Sequence, residues 1–303
     1  VQVVECVPNF SEGRRGWVVD RLAETAAAVE DVTVLDVQTD PDHNRCVLTF
    51  VGPPRAVAGA ALACAGVAAS LIDMQVHRGS HPRIGATDVV PFVPVSGTSL
   101  DECAGLAREL GREIAARLGI PVYLYGAAAS RPERVSLPDI RKGQYEGLKD
   151  LISQPEWTPD FGPPRLHPTA GATAVGARPP MVAFNIYLQG ADLRLARSIA
   201  RRVRERGGLL PRVQAIGLEV EGGETQVSMN LLDTATTSIW KAFSTVKAMA
   251  EEAGAVVVRS EVVGLLTAGA VTGSLAEVLT CPALAPEQLL EARLIDLAAG
   301  APR

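Results

Sequence analysis

The sequence predicts an α+β chain built from two tandem ferredoxin-like (split βαβ) subdomains, with sheets facing each other and helices outside. Three observations carry that expectation. Apolar runs of strand-like and helix-like period follow the order strand, helix, strand, strand, helix, strand, and the order occurs twice. A stretch crowded with proline and glycine, 153–180, divides the two occurrences. The length of 303 residues exceeds the usual size of one domain, so a boundary is expected, with an N-terminal subdomain at 1–178 and a C-terminal one at 179–303.

Taken in order, 1–7 reads as a strand, 17–29 as an amphipathic helix, and 33–38 and 46–51 as two further strands. Residues 56–72, AVAGAALACAGVAASLI, are uncharged throughout. Dominated by Ala and Gly, and shorter than the roughly 20 strongly apolar residues a membrane span needs, they suit a helix buried against a sheet. A strand at 89–95, a helix at 100–118 and a strand at 122–125 follow. Ser99 and Glu102 have the spacing of a capping box at that helix's start. The first half thus carries one helix and one strand beyond the split unit. In the second half, strands are expected at 181–188, 213–220, 226–232 and 255–259, with helices at 193–206, closed by Gly207 and Gly208, and at 238–253.

The divider, 153–180, holds Pro155, Pro159, Pro163, Pro164, Pro168, Pro179 and Pro180. Such composition predicts neither a continuing helix nor an inner strand. A loop that long is more often functional than a plain spacer. The glycines of GATAVGARP lack a following GK[ST], which excludes a phosphate loop.

Composition narrows the functional classes. With 47% hydrophobic and 21% charged residues, the chain can bury a large core and is not disordered. A net charge of -5 and an isoelectric point near 5.5 disfavour a nucleic-acid or anionic-membrane surface. Cys6, Cys46, Cys64, Cys103 and Cys281 are odd in number and far apart, as expected of reduced thiols in a cytoplasmic protein. No basic-then-apolar signal opens the chain, and its start at Val1 is read as loss of an initiator Met.

Most of the readable chemistry lies in QVHRGSHPRIGATD, 75–88, where His77, His81, Arg78, Arg83 and Asp88 are interrupted by Gly79, Pro82 and Gly85. Those breakers exclude a regular helix or inner strand, so the titratable groups sit on a shaped loop. His77 and His81 have the i, i+4 spacing of zinc ligands, but that spacing aligns two ligands only on a helix, and no metal is expected. A solvated turn capped by histidines is a second reading. The density of chemistry favours a third: a histidine that titrates near neutral pH, flanked by arginines able to hold carboxylates, suits general acid–base work.

Several motifs resemble those of the glutamate formimidoyltransferases, the formiminotransferase domain family. They are VECVPNFSEG (4–13), NRCVLTFVG (44–52), GSHPRIGATD (79–88), GIPVYLYG (119–126), EWTPDFGP (156–163), VQAIG (213–217) and VSMNLLD (227–233). The likeness runs in the same order to about Thr267. It implies transfer of a formimino group from N-formimino-L-glutamate to N5 of tetrahydrofolate, in histidine breakdown and one-carbon metabolism. It also implies a tunnel between two facing sheets, a homodimer, and tetrahydrofolate as co-substrate without a metal. By the same resemblance His81 is the catalytic histidine. The folate-binding segment is GPPRLHPTAG: Gly162, Pro163, Pro164, Arg165, Leu166, His167, Pro168, Thr169, Ala170 and Gly171. Gly171 is expected where backbone approaches ligand closely.

Expulsion of the glutamate amine from a tetrahedral intermediate requires a proton, which His81 can take from N5 and return. Arg45, Arg78 and Arg83 are candidates for the substrate carboxylates through paired hydrogen bonds. Departures from the family pattern are Gln38, where an acidic residue that assists the histidine is expected, with Asp40 and Asp42 nearby, and Ala170, where animal sequences carry an aromatic residue. The end at Arg303 implies a shortened tail and no fused cyclodeaminase domain. Two alternatives stand beside formimino transfer: formyl transfer from N-formylglutamate, and a folate-binding relative without turnover.

Overall fold

The computed structural model describes residues 2–79, 81–220 and 224–290. The chain divides into two compact units, Val1–Arg178 and Pro179–Arg303. Each carries one sheet.

In the first unit, β1 (Val3–Cys6) and β2 (Asn9–Phe10) are two lengths of one strand line, interrupted at Val7 and Pro8. They pair antiparallel with β4 (Arg45–Gly52) on one side and β5 (Thr87–Ser96) on the other. The strand β3 (Thr33–Asp40) lies outside β4. With the helices α1 (Gly16–Ala27) and α2 (Pro54–Leu71) these strands make the split βαβ unit. Next, α3 (Leu100–Leu118), started by the Ser99–Glu102 capping box, leads to β6 (Val122–Gly126).

A strand then appears where none was expected. Thr173–Ala177, β7, lies between β5 and β6 and runs parallel to both. The proline-rich composition of 153–180 does not exclude it, because the prolines stop at Pro168 and resume at Pro179. TAVGA is proline-free, and all five residues are buried, as a parallel strand covered on both faces requires. Two short helices, α4 (Leu137–Ile140) and α5 (Gln144–Leu151), also went unforeseen.

Side-chain alternation separates the two faces of this sheet. Cys6, Cys46, Leu48, Phe50, Val90, Phe92 and Leu124 enter the main core shared with α1, α2 and α3. By length and composition α2 could cross a membrane. Its Val57, Ala60, Ala61, Cys64, Ala65 and Ala68 are instead buried in that core. Burial pushes the Cys46 and Cys64 thiols up to about 12, which leaves them unreactive. On the opposite face, Val89, Tyr123, Tyr125 and Ala174 form a smaller core with Ile140, Leu148 and Ile152 of the α4–α5 segment. Farther along that face the strands β2, β3 and β4 present Asn9, Gln38, Asp40, Arg45 and Val47, since Asn9 and Gln38 both register with Val47, and Asp40 with Arg45. Polar side chains therefore stand on the sheet where no helix of the α1–α3 layer covers it.

The second unit is the simpler split βαβ. Strands β8 (Val182–Gln189), β9 (Val213–Glu219), β10 (Thr225–Leu231) and β11 (Val256–Val263) form an antiparallel sheet of order β11-β8-β10-β9. The helices α6 (Leu193–Val203) and α7 (Ile239–Glu252) bury Ala196, Ile199, Val203, Val246 and Ala250 against it. A further helix, α8 (Ala268–Leu279), packs on α7, and its Ser274 hydroxyl accepts the Ile239 N–H at 3.1 Å. The helix expected to reach Arg206 stops at Val203, because Arg204 turns to an extended conformation. The last strand continues to Val263, beyond the 255–259 read from its valine run. Residue 1 of the first expected strand and residues 291–303 lie outside the described residues.

The motif EWTPDFGP is held by a buried ion pair. The Asp160 carboxylate accepts from the Leu124 N–H at 2.8 Å, the Arg134 guanidinium at 2.8 Å and the Ser130 hydroxyl. Arg134 also donates to the Thr158 carbonyl at 2.6 Å and stacks over Tyr123. The two side chains are only 5% and 7% exposed, so loss of one strands the other's charge. Asp160→Ala is expected to lower the unfolding free energy by about 3–5 kcal/mol in urea titration. Arg134→Met combined with Asp160→Leu should recover most of that loss; an additive double loss would contradict it.

Candidate functional site

The β3–β4 turn ends on Asn44, whose φ of 49° is a left-handed conformation that asparagine tolerates. Three contacts meet there. The Asn44 Oδ1 accepts the Gly13 N–H at 3.0 Å, its Nδ2 donates to the Arg78 carbonyl at 2.9 Å, and its backbone carbonyl lies 3.0 Å from His77 Nε2. The VPNFSEG turn, the Asn-Arg turn and the histidine loop, distant in sequence, are thus joined at one residue. Ser11 adds to this, its hydroxyl donating to the Gly85 carbonyl at 2.7 Å.

His77 is buried. Arg83 Nε donates to its Nδ1 at 3.3 Å, so the ring carries its proton on Nε2 and donates to Asn44. Burial pulls its pKa below the ordinary histidine value. Arg83, 5% exposed at its side chain, is committed within the chain: its Nη1 and Nη2 grip both oxygens of Glu146 on α5 at 2.9 and 2.7 Å, and Nη1 reaches Gln144 Oε1 at 3.0 Å. Arg78 is exposed, with Nη1 on the carbonyls of Gln75 and His77. Of the three arginine candidates, the structure brings Arg45 alone against His81.

Arg45 Nη1 lies 3.0 Å from His81 Nε2. A guanidinium can only donate, so Nε2 presents its lone pair and the ring proton sits on Nδ1. Burial first, then the charges of Arg45 and Arg141, push the His81 pKa far down, and the ring is neutral. Arg45 is itself desolvated, with Nη1 3.5 Å from Asn9 Oδ1 and Nε lacking any hydrogen-bond acceptor. The Nε of Arg141, just past α4, is likewise unsatisfied, while its Nη2 pairs with Asp88 Oδ2. Asp88 accepts the Ile84 N–H at 2.9 Å through its other oxygen. Two poorly solvated cations with unmet donors beside a neutral imidazole form a site for an anion.

Sequence reasoning missed Arg141, in an unremarkable LPDIR run, and His43, whose signal was the Asp40-x-x-His43 spacing on a turn. Asp40 Oδ2 is 2.5 Å from His43 Nδ1, and the His43 ring meets His81 edge-on with centroids 6.3 Å apart. Gln38 is on the same face as Asp40, opposite Val47.

Residues 162–171 are stitched to the histidine loop at both ends. Met74 N–H donates to the Thr169 carbonyl and Gln75 Nε2 to that of Pro168; Ala86 N–H donates to Ala170 and Ala172 N–H to Ile84. Gly162, Pro164, Arg165 and Pro168 are exposed, Pro163, Leu166, His167 and Thr169 half-buried. His167 Nδ1 accepts the Ala170 N–H at 3.0 Å and closes the turn. Ala170 is 1% exposed, a core position. Gly171, at φ 73°, is required by the fold itself: a Cβ there would come within 2.5 Å of the Ile84 carbonyl.

An α+β chain that sets an imidazole base among desolvated guanidiniums has the make-up of an enzyme moving protons on a carboxylated substrate. The formiminotransferase domain, N-terminal subdomain, matches residues 3–178, and the formiminotransferase domain matches residues 183–276. The chain is 43% identical over 270 residues to a glutamate formimidoyltransferase of Streptococcus pyogenes serotype M1, covering 89% of this chain and 90% of that protein. It is 44% identical over 269 residues to a glutamate formimidoyltransferase of Thermoplasma acidophilum, covering 88% of each. Against the formimidoyltransferase-cyclodeaminase of Rattus norvegicus it is 45% identical over 272 residues and spans 50% of that protein. This chain belongs to the formiminotransferase domain family.

The histidines set an acid limit on the fold. His77, His81 and His167 all have folded values below the ordinary one, so the unfolded chain takes up protons first as pH falls through about 6.5. Stability is full above that pH and declines below it, by up to about 1.4 kcal/mol per pH unit for each ring kept neutral. Urea midpoints measured from about pH 7.5 to about pH 5.5 are expected to fall, and His77→Gln should make the decline shallower. An unchanged midpoint across that range would refute it.

Proposed function

We propose that this protein transfers the formimino group of N-formimino-L-glutamate to N5 of tetrahydrofolate, giving 5-formiminotetrahydrofolate and L-glutamate. One observation carries the chemistry beyond family membership: His81 is neutral, with its Nε2 lone pair facing Arg45 at 3.0 Å and its proton affinity lowered further by the charge of Arg141. Attack of N5 on the formimino carbon requires a base, and collapse of the tetrahedral intermediate requires an acid at the glutamate nitrogen. His81 serves as both, taking the N5 proton at Nε2 and returning it to the departing amine.

Arg45 holds that lone pair until a substrate carboxylate arrives. The anion then draws the guanidinium away and offsets the positive charge that suppresses His81, raising its basicity as the complex forms. The unsatisfied Nε groups of Arg45 and Arg141 support their assignment to substrate carboxylates. Arg83 and His77 fix the loop. Residues 162–171 form the folate-binding segment in this proposal, supported by their hydrogen bonds to both ends of the histidine loop. Buried thiols at Cys6, Cys46, Cys64 and Cys103 support a cytoplasmic location. Exposed Val256, Val258 and Val262 on the edge strand β11 support a homodimer.

Purified protein should form 5-formiminotetrahydrofolate from tetrahydrofolate and formiminoglutamate; no product from that donor would refute the assignment. His81→Ala is expected to lower kcat by roughly 10²–10⁴ with folate binding by fluorescence titration retained. A variant turning over at the parent rate would remove His81 from the mechanism.

Arg45→Leu tests the carboxylate role separately. Loss of a charge-assisted hydrogen bond of about 1.5–3 kcal/mol is expected to raise KM for the donor by roughly ten- to a hundredfold. Unchanged KM in that variant would assign the carboxylate elsewhere.

A further inference from the structure

The β3–β4 turn carries a second imidazole that formimino transfer by His81 leaves unused. Asp40, the last residue of β3, brackets it: Oδ1 accepts the His43 backbone N–H at 2.9 Å and Oδ2 lies 2.5 Å from Nδ1. A carboxylate only accepts, so Nδ1 carries a proton and Nε2 is the nitrogen left to exchange one. The ring stands at 75° to that of His81, with centroids 6.3 Å apart. At that separation a single water, or a small swing of either ring, connects their nitrogens.

The two imidazoles have opposite surroundings. His81 has Arg45 of β4 on its Nε2 and is subject to the charges of Arg141 at the end of α4, of His43 and of Arg83 from its own loop, while Asp88 of β5 is paired with Arg141. His43 instead has a carboxylate on its ring, and its side chain is 32% exposed. A positive charge is therefore disfavoured on the first ring, while the second has a carboxylate oxygen directly against its Nδ1.

We propose that Asp40 and His43 form a proton relay that acts through His81. When N5 bonds to the formimino carbon, its proton passes by way of His81 to His43. There it resides as an imidazolium against the Asp40 carboxylate while the tetrahedral carbon holds both nitrogens. As the bond from that carbon to the glutamate nitrogen breaks, the proton returns through His81 to the departing amine. One N–C bond forms, one breaks, and no proton is gained or lost overall. The relay rests on the formimino-transfer assignment. His43 and Asp40 are positioning residues in it, because His81 alone meets the reacting atoms.

Steady-state kinetics of His43→Ala, His43→Gln and Asp40→Asn, with free imidazole added in parallel, test it. His43→Ala should lose roughly 10²-fold in kcat with the KM for folate at the parent value. Imidazole should restore much of that kcat, increasingly as pH rises and more of it is unprotonated. His43→Gln can keep the contact with Asp40 without titrating, so it should fold as the parent does and share the kcat loss. Asp40→Asn keeps a polar group at the ring but removes the charge that faces an imidazolium, so it should share the kcat loss with the KM for folate at the parent value. Parent kcat in His43→Gln, or a loss confined to KM that imidazole does not rescue, would overturn the relay. Absence of formimino transfer in the parent itself would instead overturn the assignment on which it rests.

Discussion

The contact between Arg45 and His81 is the constraint on which this site depends. A half-buried guanidinium donating to an imidazole lone pair is poor company for either group: among the described residues the cation has no direct ion-pair partner, and the base is suppressed. Both deficits are relieved by a carboxylated ligand. In the proposed reaction the pair is a latch as well as a site, since the base would gain strength when the substrate's charge arrives.

Holding that pair in place takes much of the first unit. Arg45 begins β4, so its direction is set by strand register, while His81 lies on a loop that lacks a register of its own. The loop acquires one from its ends. Asn44 ties it to the β3–β4 turn, Arg83 ties it to α5 through Glu146, and Ala86 and Ile84 tie it to the strand-like edge of 170–172. Most of these contacts are backbone or buried, where an unmade hydrogen bond costs about 1–3 kcal/mol, so the loop is held as a single piece. The same bonds place the proposed folate segment beside the histidine loop, although the two stretches are roughly ninety residues apart in sequence.

The family's motifs divide into two kinds once their contacts are known. Asn44, Arg45 and the histidine loop make the site. EWTPDFGP chiefly makes a buried ion pair, Asp160 with Arg134, that fastens the segment leading into 162–171. TAVGA proves to be the strand β7, inserted between β5 and the edge strand β6, and its small residues fit where both faces are covered. A motif thus marks a place where substitution is costly, and the reason can be packing as easily as chemistry.

By itself the sequence determined the two split βαβ units, because each element's period and its Gly, Pro and Ser punctuation are local properties, and the capping box at Ser99 is there as read. It also pointed to His81 through its loop motif and to Arg45 as one of three arginine candidates, with Arg78 and Arg83. Only the tertiary structure decided the rest. The strand β7 was concealed because composition over 153–180 averages five strand residues with the prolines around them. Gly171 was read as a site of ligand approach, whereas the close neighbour is the Ile84 carbonyl, a contact across the fold. Arg83 had the right type for substrate binding, but its charge is spent on Glu146, sixty-three residues away. Arg141 carries no local mark and His43 only its spacing from Asp40, since an arginine after a short helix and a histidine on a turn are ordinary until packing removes water from one and brings the other against His81. Local pattern reports what each residue can do; which charges are desolvated, and which partners they meet, is fixed only when distant segments close on one another.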